Sequence, residues 1–214
     1  MATALPFSID YELVGWELFW ALLEVEREAP EELAALRREV AEEARRRFAS
    51  AADLASHPTV AALRRLFRDA GCDPTRYRPA SEALLRRLLK GEALPAIHPL
   101  VDVNNGLSAR LAVPCCVMAD GSFGGALRWR AGRPGESYES LRGPFNLEGK
   151  PLLLDAEGPL DTPITGGRRV KVLPATRRAW LVAYLPAGVV AADEAWDRLE
   201  RLSRRAGVVA RRYM

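Results

Sequence analysis

The order of the hydrophobic patterns along the chain is the feature that most constrains its fold. Up to about residue 95, apolar residues recur mainly at helical spacing, whereas beyond it short apolar runs are separated by turns rich in Gly and Pro. Helices followed by strands are typical of an α+β fold, and not of a doubly wound parallel sheet, in which the two alternate. The sequence therefore predicts an α+β protein.

Three helices and one strand are predicted in the first half. Residues 7–13 alternate as a strand does, and residues 31–48 carry apolar side chains at helical spacing, with acids at the start and arginines at the end. A second helix is expected from Pro58 to Gly71 with Ser56 as its N-cap, and a third from Ser81 to Gly91.

The second half is expected to be mostly strands. A final helix is predicted from Asp193, a good N-cap residue, to Gly207. The candidate strands are residues 113–118, 124–130, 151–154, 169–173 and 179–185.

Composition excludes several classes of protein. The chain has 214 residues, of which 49% are hydrophobic, enough for one globular unit with its own core. No apolar run reaches the ~20 residues that a bilayer requires, and no basic leader precedes a hydrophobic run. Three cysteines, two of them adjacent, form a poor disulfide framework, so we expect a cytoplasmic protein. Two histidines argue against a metal site, and no phosphate-binding glycine loop is present.

Charge is unevenly distributed along the chain. Residues 1–30 contain one basic and six acidic residues, whereas residues 168–214 contain eleven basic and four acidic ones. Arginine clusters of this kind can bind a phosphate backbone, and they can equally form a solvated surface. The candidate nucleic-acid-binding residues are Arg78, Arg86, Arg87, Arg168, Arg169, Arg177, Arg178, Arg198, Arg201 and Arg205.

The segment 97–108 is the most unusual in the chain. A short aliphatic run is followed by Asn104, Asn105 and Ser108, a pattern that suits a strand whose end delivers polar groups to a pocket floor. The alternative is that these side chains only cap and turn the backbone.

Two thiols and two carboxylates complete the candidate site residues. Cys115 and Cys116 lie in an apolar strand, where adjacent side chains face opposite sides, so at most one can enter a given pocket. Their default role is structural, and a reactive thiolate would need a basic neighbour. Asp120 and Glu136 lie in predicted turns, where they could orient a water molecule or bind an amino group, or simply be solvated.

Several segments resemble the B3/B4 domain of the β subunit of bacterial phenylalanyl-tRNA synthetase, and more closely the free-standing proteins of that family. The resemblance rests on residues 77–91, on Leu94-Pro95 and on the Val-Asp-Val-Asn-Asn run at 101–105, and extends over roughly residues 58–185. It predicts one B3/B4-like domain over residues 1–214, with a strand and helix extension at 1–57 and a C-terminal helix at 190–214.

The resemblance implies a β-sandwich of unusual topology with a pocket between its B3 and B4 parts. In the synthetase, that pocket hydrolyses the ester bond that links a wrongly attached tyrosine to the phenylalanine tRNA. A free-standing copy is therefore expected to bind tRNA and to remove misattached amino acids in trans, without charging tRNA or consuming ATP. The expected substrate-binding residues are Asn104, Asn105, Ser108, Cys116, Asp120 and Glu136, with Cys116 and Glu136 as candidates for catalysis.

The sequence also departs from the family at two positions. Cys116 stands where the synthetase domain has a histidine, and Val182 stands where it has a glutamate. The alternative is therefore a module that binds tRNA or a free amino acid without catalysis, and a third hypothesis is a thiol-dependent enzyme. We expect no cofactor, no metal, no membrane and no DNA partner.

Overall fold

A computed structural model describes residues 3–214, and within them the chain forms six helices and ten strands. The helices are α1 (Pro30–Arg47), α2 (Ala51–Ser56), α3 (Pro58–Asp69), α4 (Ala80–Leu89), α5 (Pro99–Leu111) and α6 (Ala192–Arg205). The strands are β1 (Ser8–Tyr11), β2 (Trp16–Val25), β3 (Cys115–Ala119), β4 (Ala126–Ala131), β5 (Ser137–Ser140), β6 (Gly143–Asn146), β7 (Pro151–Asp155), β8 (Gly158–Asp161), β9 (Arg178–Pro186) and β10 (Val208–Tyr213). Five helices precede most of the strands, which confirms the predicted α+β class.

The first sheet has four antiparallel strands in the order β10-β2-β9-β3. β2 and β9 lie at its centre and pair from Trp16 opposite Pro186 to Glu24 opposite Arg178. Helices α5 and α6 pack against β2 on one side, and aromatic residues of the second sheet contact it on the other. Because both faces are covered, β2 is apolar at nearly every position and shows no alternation. For that reason β2 was not predicted from the sequence.

The second sheet has the order β1-β4-β7-β8, with β1 parallel to β4 and the other pairs antiparallel. The Trp129 ring on β4 is fully buried and stacks on the Tyr184 ring of β9, with 5.1 Å between ring centroids. It also meets the Trp16 ring edge-on, at 5.4 Å. The two sheets therefore pack face to face as a β-sandwich, and β5 and β6 form a separate hairpin.

The prediction of a strand in segment 97–108 is wrong, because residues 99–111 form α5. Pro99 occupies the first turn, and the His98 imidazole accepts a hydrogen bond from the Leu100 N–H. Leu100, Val103 and Leu107 are fully buried along one face, which is helical and not strand periodicity. The aliphatic run was read with the wrong period.

Three further predictions are wrong. Residues 169–173 do not form a strand, because the chain there runs as a loop. Asp193 lies in the first turn of α6, and the N-cap is Ala191. Ser56 ends α2 by donating to the Asp53 carbonyl, so that His57 occupies the N-cap position of α3.

The other predicted elements are confirmed within a few residues: β1, α1, α3, α4, β3, β4, β7 and β9, and the final helix as α6. The short α2 and the strands β5, β6, β8 and β10 were not predicted. Within residues 3–214, the helices are too short or too polar to cross a bilayer.

Candidate functional site

A cavity of about 480 Å³ lies where α4 and α5 meet β3 and the loop between β8 and β9. Its volume is in the range of small-molecule sites. Its apolar lining includes Ile97, Val101, Val117, Val170 and Val172, its polar lining Asn104, Asn105, Cys116, Asp161, Thr162 and Thr165, and its cationic lining Arg87, Arg142 and Lys171. Aliphatic walls thus surround a small number of polar groups.

Asp161, the last residue of β8, borders the cavity although its own surface is fully buried. The Tyr184 hydroxyl donates to its Oδ2 atom at 2.5 Å, which links the two sheets. Its Oδ1 atom is buried without a hydrogen-bond partner among residues 3–214. Burial raises the pKa of the Asp161 carboxyl to about 7, against the opposing effect of the Tyr184 hydroxyl and the Cys116 thiol. Its charge therefore changes near neutral pH.

Gly166 lies beside the Asp161 carboxylate and the Leu141 side chain. The loop after β8 turns back so that residue 166 pairs with Asp161 in an isolated bridge. A Cβ atom on Gly166 would lie 3.6 Å from Asp161 Oδ1 and 3.1 Å from Leu141 Cδ1. Because Gly166 and Asp161 both line the cavity, a side chain at residue 166 would crowd the buried, unpaired carboxylate oxygen.

Helix α5 contributes two asparagines to the cavity. The Asn104 Nδ2 atom donates to Asn105 Oδ1 at 3.4 Å, whereas Asn104 Oδ1 is buried without a partner among residues 3–214. A buried acceptor that lacks a donor costs free energy. Asn104 and Asp161 thus present two unpaired acceptors to one cavity.

Three cations lie around the cavity with their side chains exposed: Arg87, Arg142 and Lys171. Among the residues that the structure describes, none of the three forms an ion pair with a carboxylate. Unpaired cations of this kind can bind an anion without first giving up an internal partner. The cavity therefore combines acceptors at its floor with positive charge at its edge.

Three of the six predicted substrate-binding residues line the cavity: Asn104, Asn105 and Cys116. Ser108 does not, because it is buried and donates to the Val113 carbonyl at 2.8 Å. Asp120 accepts from the Trp180 indole N–H at 2.9 Å and pairs with Arg178. Both side chains are occupied by internal contacts.

Glu136 also lies outside the cavity. Its carboxylate accepts two hydrogen bonds from the Arg130 guanidinium and one from the Arg133 backbone N–H, in the turn between β4 and β5. The Arg130 guanidinium lowers the pKa of Glu136 to about 2, and the Arg133 N–H acts in the same direction. A carboxylate held in this way is a weak base.

Cys115 and Cys116 both line the cavity, contrary to the expectation that at most one would, although adjacent side chains alternate between the faces of β3. Cys116 pairs with Val182, two residues from Tyr184, so its side chain lies on the Tyr184 face, next to Asp161. Burial raises the pKa of both Cys115 and Cys116, and the Asp161 carboxylate raises them further. A neutral thiol beside an acid is a poor nucleophile, which opposes the thiol-enzyme hypothesis. Val182 is fully buried in β9.

Most of the arginines proposed for nucleic-acid binding are held by internal acceptors. Six of them pair with carboxylates: Arg169 with Asp155 and Glu157, Arg178 with Asp120, Arg198 with Glu194, Arg205 with Glu39, and both Arg78 and Arg86 with Glu82. Two donate to backbone carbonyls, Arg177 to that of Val25 and Arg201 to that of Asp197. Arg87 and Arg168 have no ion pair among residues 3–214. Of the ten, only Arg87 lines the cavity.

Sequence reasoning missed Asp161, Tyr184 and Gly166. The only available signal was an acid directly after the apolar pair Pro159-Leu160, in front of a run of small residues. Nothing in the sequence places Tyr184 against that acid. Within residues 3–214, no three His, Cys, Asp or Glu side chains form a group that could hold a metal ion.

Comparison with known proteins identifies the family. The model of the B3/4 domain matches residues 62–208, which is more than half of the chain. The chain belongs to the B3/4 domain family. The match includes the whole cavity, from α4 to the loop that precedes β9.

A similar fold is found in a crystal structure of an N-terminal fragment of the phenylalanyl-tRNA synthetase β-subunit from Pyrococcus horikoshii. The two chains are 12% identical and superpose with a TM-score of 0.50, over 99% of this chain and 52% of that one. At this identity the likeness shows the fold alone, and the chain spans about half the length of the fragment. No match was found among curated proteins.

Proposed function

We propose that this B3/4 protein binds tRNA and hydrolyses a misattached amino acid from its 3′ end in trans. One observation carries the proposal. The residues of a single cavity include two acceptors without a hydrogen-bond partner, Asn104 Oδ1 and Asp161 Oδ1, and three cations without an ion pair among residues 3–214. The resemblance to the synthetase editing domain supports the same substrate class.

An aminoacylated tRNA end has the complementary groups. Its α-ammonium and the water that attacks its ester are donors, which suit the acceptors Asn104 and Asp161. Its phosphates are anions, which suit Arg87, Arg142 and Lys171. Aliphatic residues such as Val101 and Val117 provide apolar surface for the amino-acid side chain and the ribose.

The reaction asks little of the protein, because an aminoacyl ester is already activated. The oxygen of a water molecule forms a bond to the ester carbonyl carbon, and the bond from that carbon to the ribose oxygen breaks. Asp161 takes the proton of the water, since its pKa of about 7 suits a general base at neutral pH, and returns it to the ribose oxygen. Positioning the ester and the water next to each other provides the rest of the rate acceleration.

The test is loss of ester from a panel of mischarged tRNAs incubated with purified protein. We expect at least one ester to decay faster than in buffer, and Asp161→Asn to slow that decay by about 100-fold or more, as removal of a general base does. Decay of every ester at the buffer rate would overturn the proposed hydrolysis.

The second candidate function is binding of tRNA or a free amino acid without catalysis. It is favoured by a specific observation, the absence of an imidazole among the cavity residues: the site has the neutral Cys116 thiol instead, and Val182 is buried in the core. Saturable binding of uncharged tRNA or an amino acid, together with stable esters, would support it. Turnover that needs Asp161 would reject it.

A further inference from the structure

A second concave surface lies beside α4. It is a groove of about 560 Å³ formed by the end of α1, the start of α2 and the α4 segment. Its cationic lining consists of Arg45, Arg78, Arg86 and Lys90, and its remaining lining is short or apolar. Glu82 lies 3.9 Å from Arg78 and 2.9 Å from Arg86 and is fully buried.

Glu82 cannot neutralise the groove. Its carboxylate is already held by Arg64, which donates to both oxygens at 2.8 Å, and Arg86 donates to it as well at 2.9 Å. Arg78 approaches it only to 3.9 Å. One buried negative charge thus faces three guanidinium groups, so the cluster keeps a net positive charge.

The other two cations of the groove have no carboxylate partner among residues 3–214. Arg45 donates its Nε–H to the Leu88 carbonyl, which orients the guanidinium while leaving its charge unbalanced. Lys90 is exposed. The Asp53 carboxylate at the start of α2 is engaged by the Ala49 backbone N–H, next to the groove. The positive charges still outnumber the acids.

Helix α4 connects this groove to the cavity. Arg86 and Lys90 lie four residues apart at the end of α4, on the same side, and Arg78 lies just before the helix begins, whereas Arg87 is turned by about 100° from Arg86 and lines the cavity. A strand of nucleic acid whose end lies in the cavity can therefore cross α4 and continue along the groove.

We propose that this groove binds the phosphodiester backbone of the RNA strand whose 3′ end enters the cavity. The inference rests on the proposed function and extends it to a defined surface. Arg45 and the start of α2 lie before residue 62, outside the region matched by the family model, so the N-terminal segment of this chain builds half of the groove.

The experiment compares two doubly neutralised variants. Arg78→Gln/Lys90→Gln removes two charges from the groove, and Arg68→Gln/Arg128→Gln removes two exposed arginine charges, each without an ion pair among residues 3–214, from α3 and β4. Binding of uncharged tRNA is measured by fluorescence anisotropy over a range of salt concentrations. Thermal unfolding of both variants confirms that they fold.

We expect the groove variant to reduce the slope of log K against log salt by about 1.5, because each lost phosphate contact removes about 0.7–0.9. The control variant should keep the wild-type slope. A groove-variant slope equal to that of the control, or a wild-type protein that binds no tRNA, would overturn the groove.

A second readout separates this proposal from the proposed function. An aminoacyl ester of adenosine alone fills the cavity but does not reach the groove, so both double variants should hydrolyse it at the wild-type rate. Hydrolysis of this ester with an unchanged salt slope overturns the groove only. A reduced salt slope in the groove variant supports the groove. If the wild-type protein then hydrolyses neither the aminoacyl-tRNA esters nor the adenosine ester, the editing activity alone is overturned.

Discussion

At the scale of single residues, Asp161 links the stability of the fold to pH. Its pKa is about 7 when folded, because it is buried, and about 3.9 when unfolded. Between those values the folded state holds a proton that the unfolded state has lost, so stability falls as the pH rises. About three pKa units correspond to a loss on the order of 4 kcal/mol by pH 8.

Asp161→Asn should remove that dependence. We expect the variant to gain stability relative to the wild type on going from about pH 4 to about pH 8, by up to about 4 kcal/mol. Urea unfolding at the two pH values measures the change, and Asp197→Asn, at an exposed position on α6, is the control. An equal pH dependence in wild type and Asp161→Asn would contradict the burial of an ionisable Asp161.

Gly166 gives the second prediction at this scale. A methyl group at this position would stand 3.6 Å from Asp161 Oδ1 and cover its approach to the cavity. Gly166→Ala should therefore slow ester hydrolysis by about 100-fold, the lower end of the contribution of a general base. Gly124→Ala is the matched control, because a Cβ there meets no atom within 4 Å. Wild-type rates in Gly166→Ala would show that Oδ1 is not used.

At the scale of secondary structure elements, Ser108 fastens the end of α5 to the start of β3. Its buried hydroxyl donates to the Val113 carbonyl. The Cys115 thiol, a weak donor, also approaches that carbonyl, at 3.6 Å. Ser108→Ala should cost about 1–3 kcal/mol, because the carbonyl loses a buried partner. Chemical denaturation measures the loss, with the exposed Ser137→Ala as control. If the variant keeps its stability but binds ligand more weakly, Ser108 is instead a substrate-binding residue.

The turn between β4 and β5 depends on the pair formed by Arg130 and Glu136. The pKa of Glu136 is lowered to about 2, so its contribution is complete above about pH 4.3 and is lost as the pH falls towards 2. Because the Glu136 side chain is 30% exposed, we expect Glu136→Gln to cost only about 1–2 kcal/mol at neutral pH. The difference from wild type, followed by denaturant unfolding, should shrink on acidification. A constant difference would contradict the assigned ion pair.

At the scale of the whole molecule, periodicity made α1 and β4 predictable, whereas β2 and segment 97–108 show no period that decides between helix and strand. Helix α1 and strand β4 alternate buried and exposed residues, so their periodicity could be read. Strand β2 is covered on both faces, and segment 97–108 is apolar enough to fit either period, so local pattern could not decide them.

The candidate site was predictable only where the chain keeps its residues close together. Asn104 and Asn105 were found because they belong to the resemblance motif at 101–105, and Cys116 because it lies in an apolar run shortly after that motif. Asp161 meets Tyr184 across 23 residues of chain and between two sheets, a contact that tertiary packing alone creates. The roles assigned to these residues remain predictions.

The most direct test of the account is calorimetric binding of a non-hydrolysable aminoacyl-adenosine, in which an amide replaces the ester. We expect one molecule to bind per chain, with an affinity that Gly166→Ala and Asn104→Leu weaken and that Gly124→Ala leaves unchanged. Absence of binding, or equal affinity in all three variants, would show that the cavity is not the site of an aminoacylated RNA end.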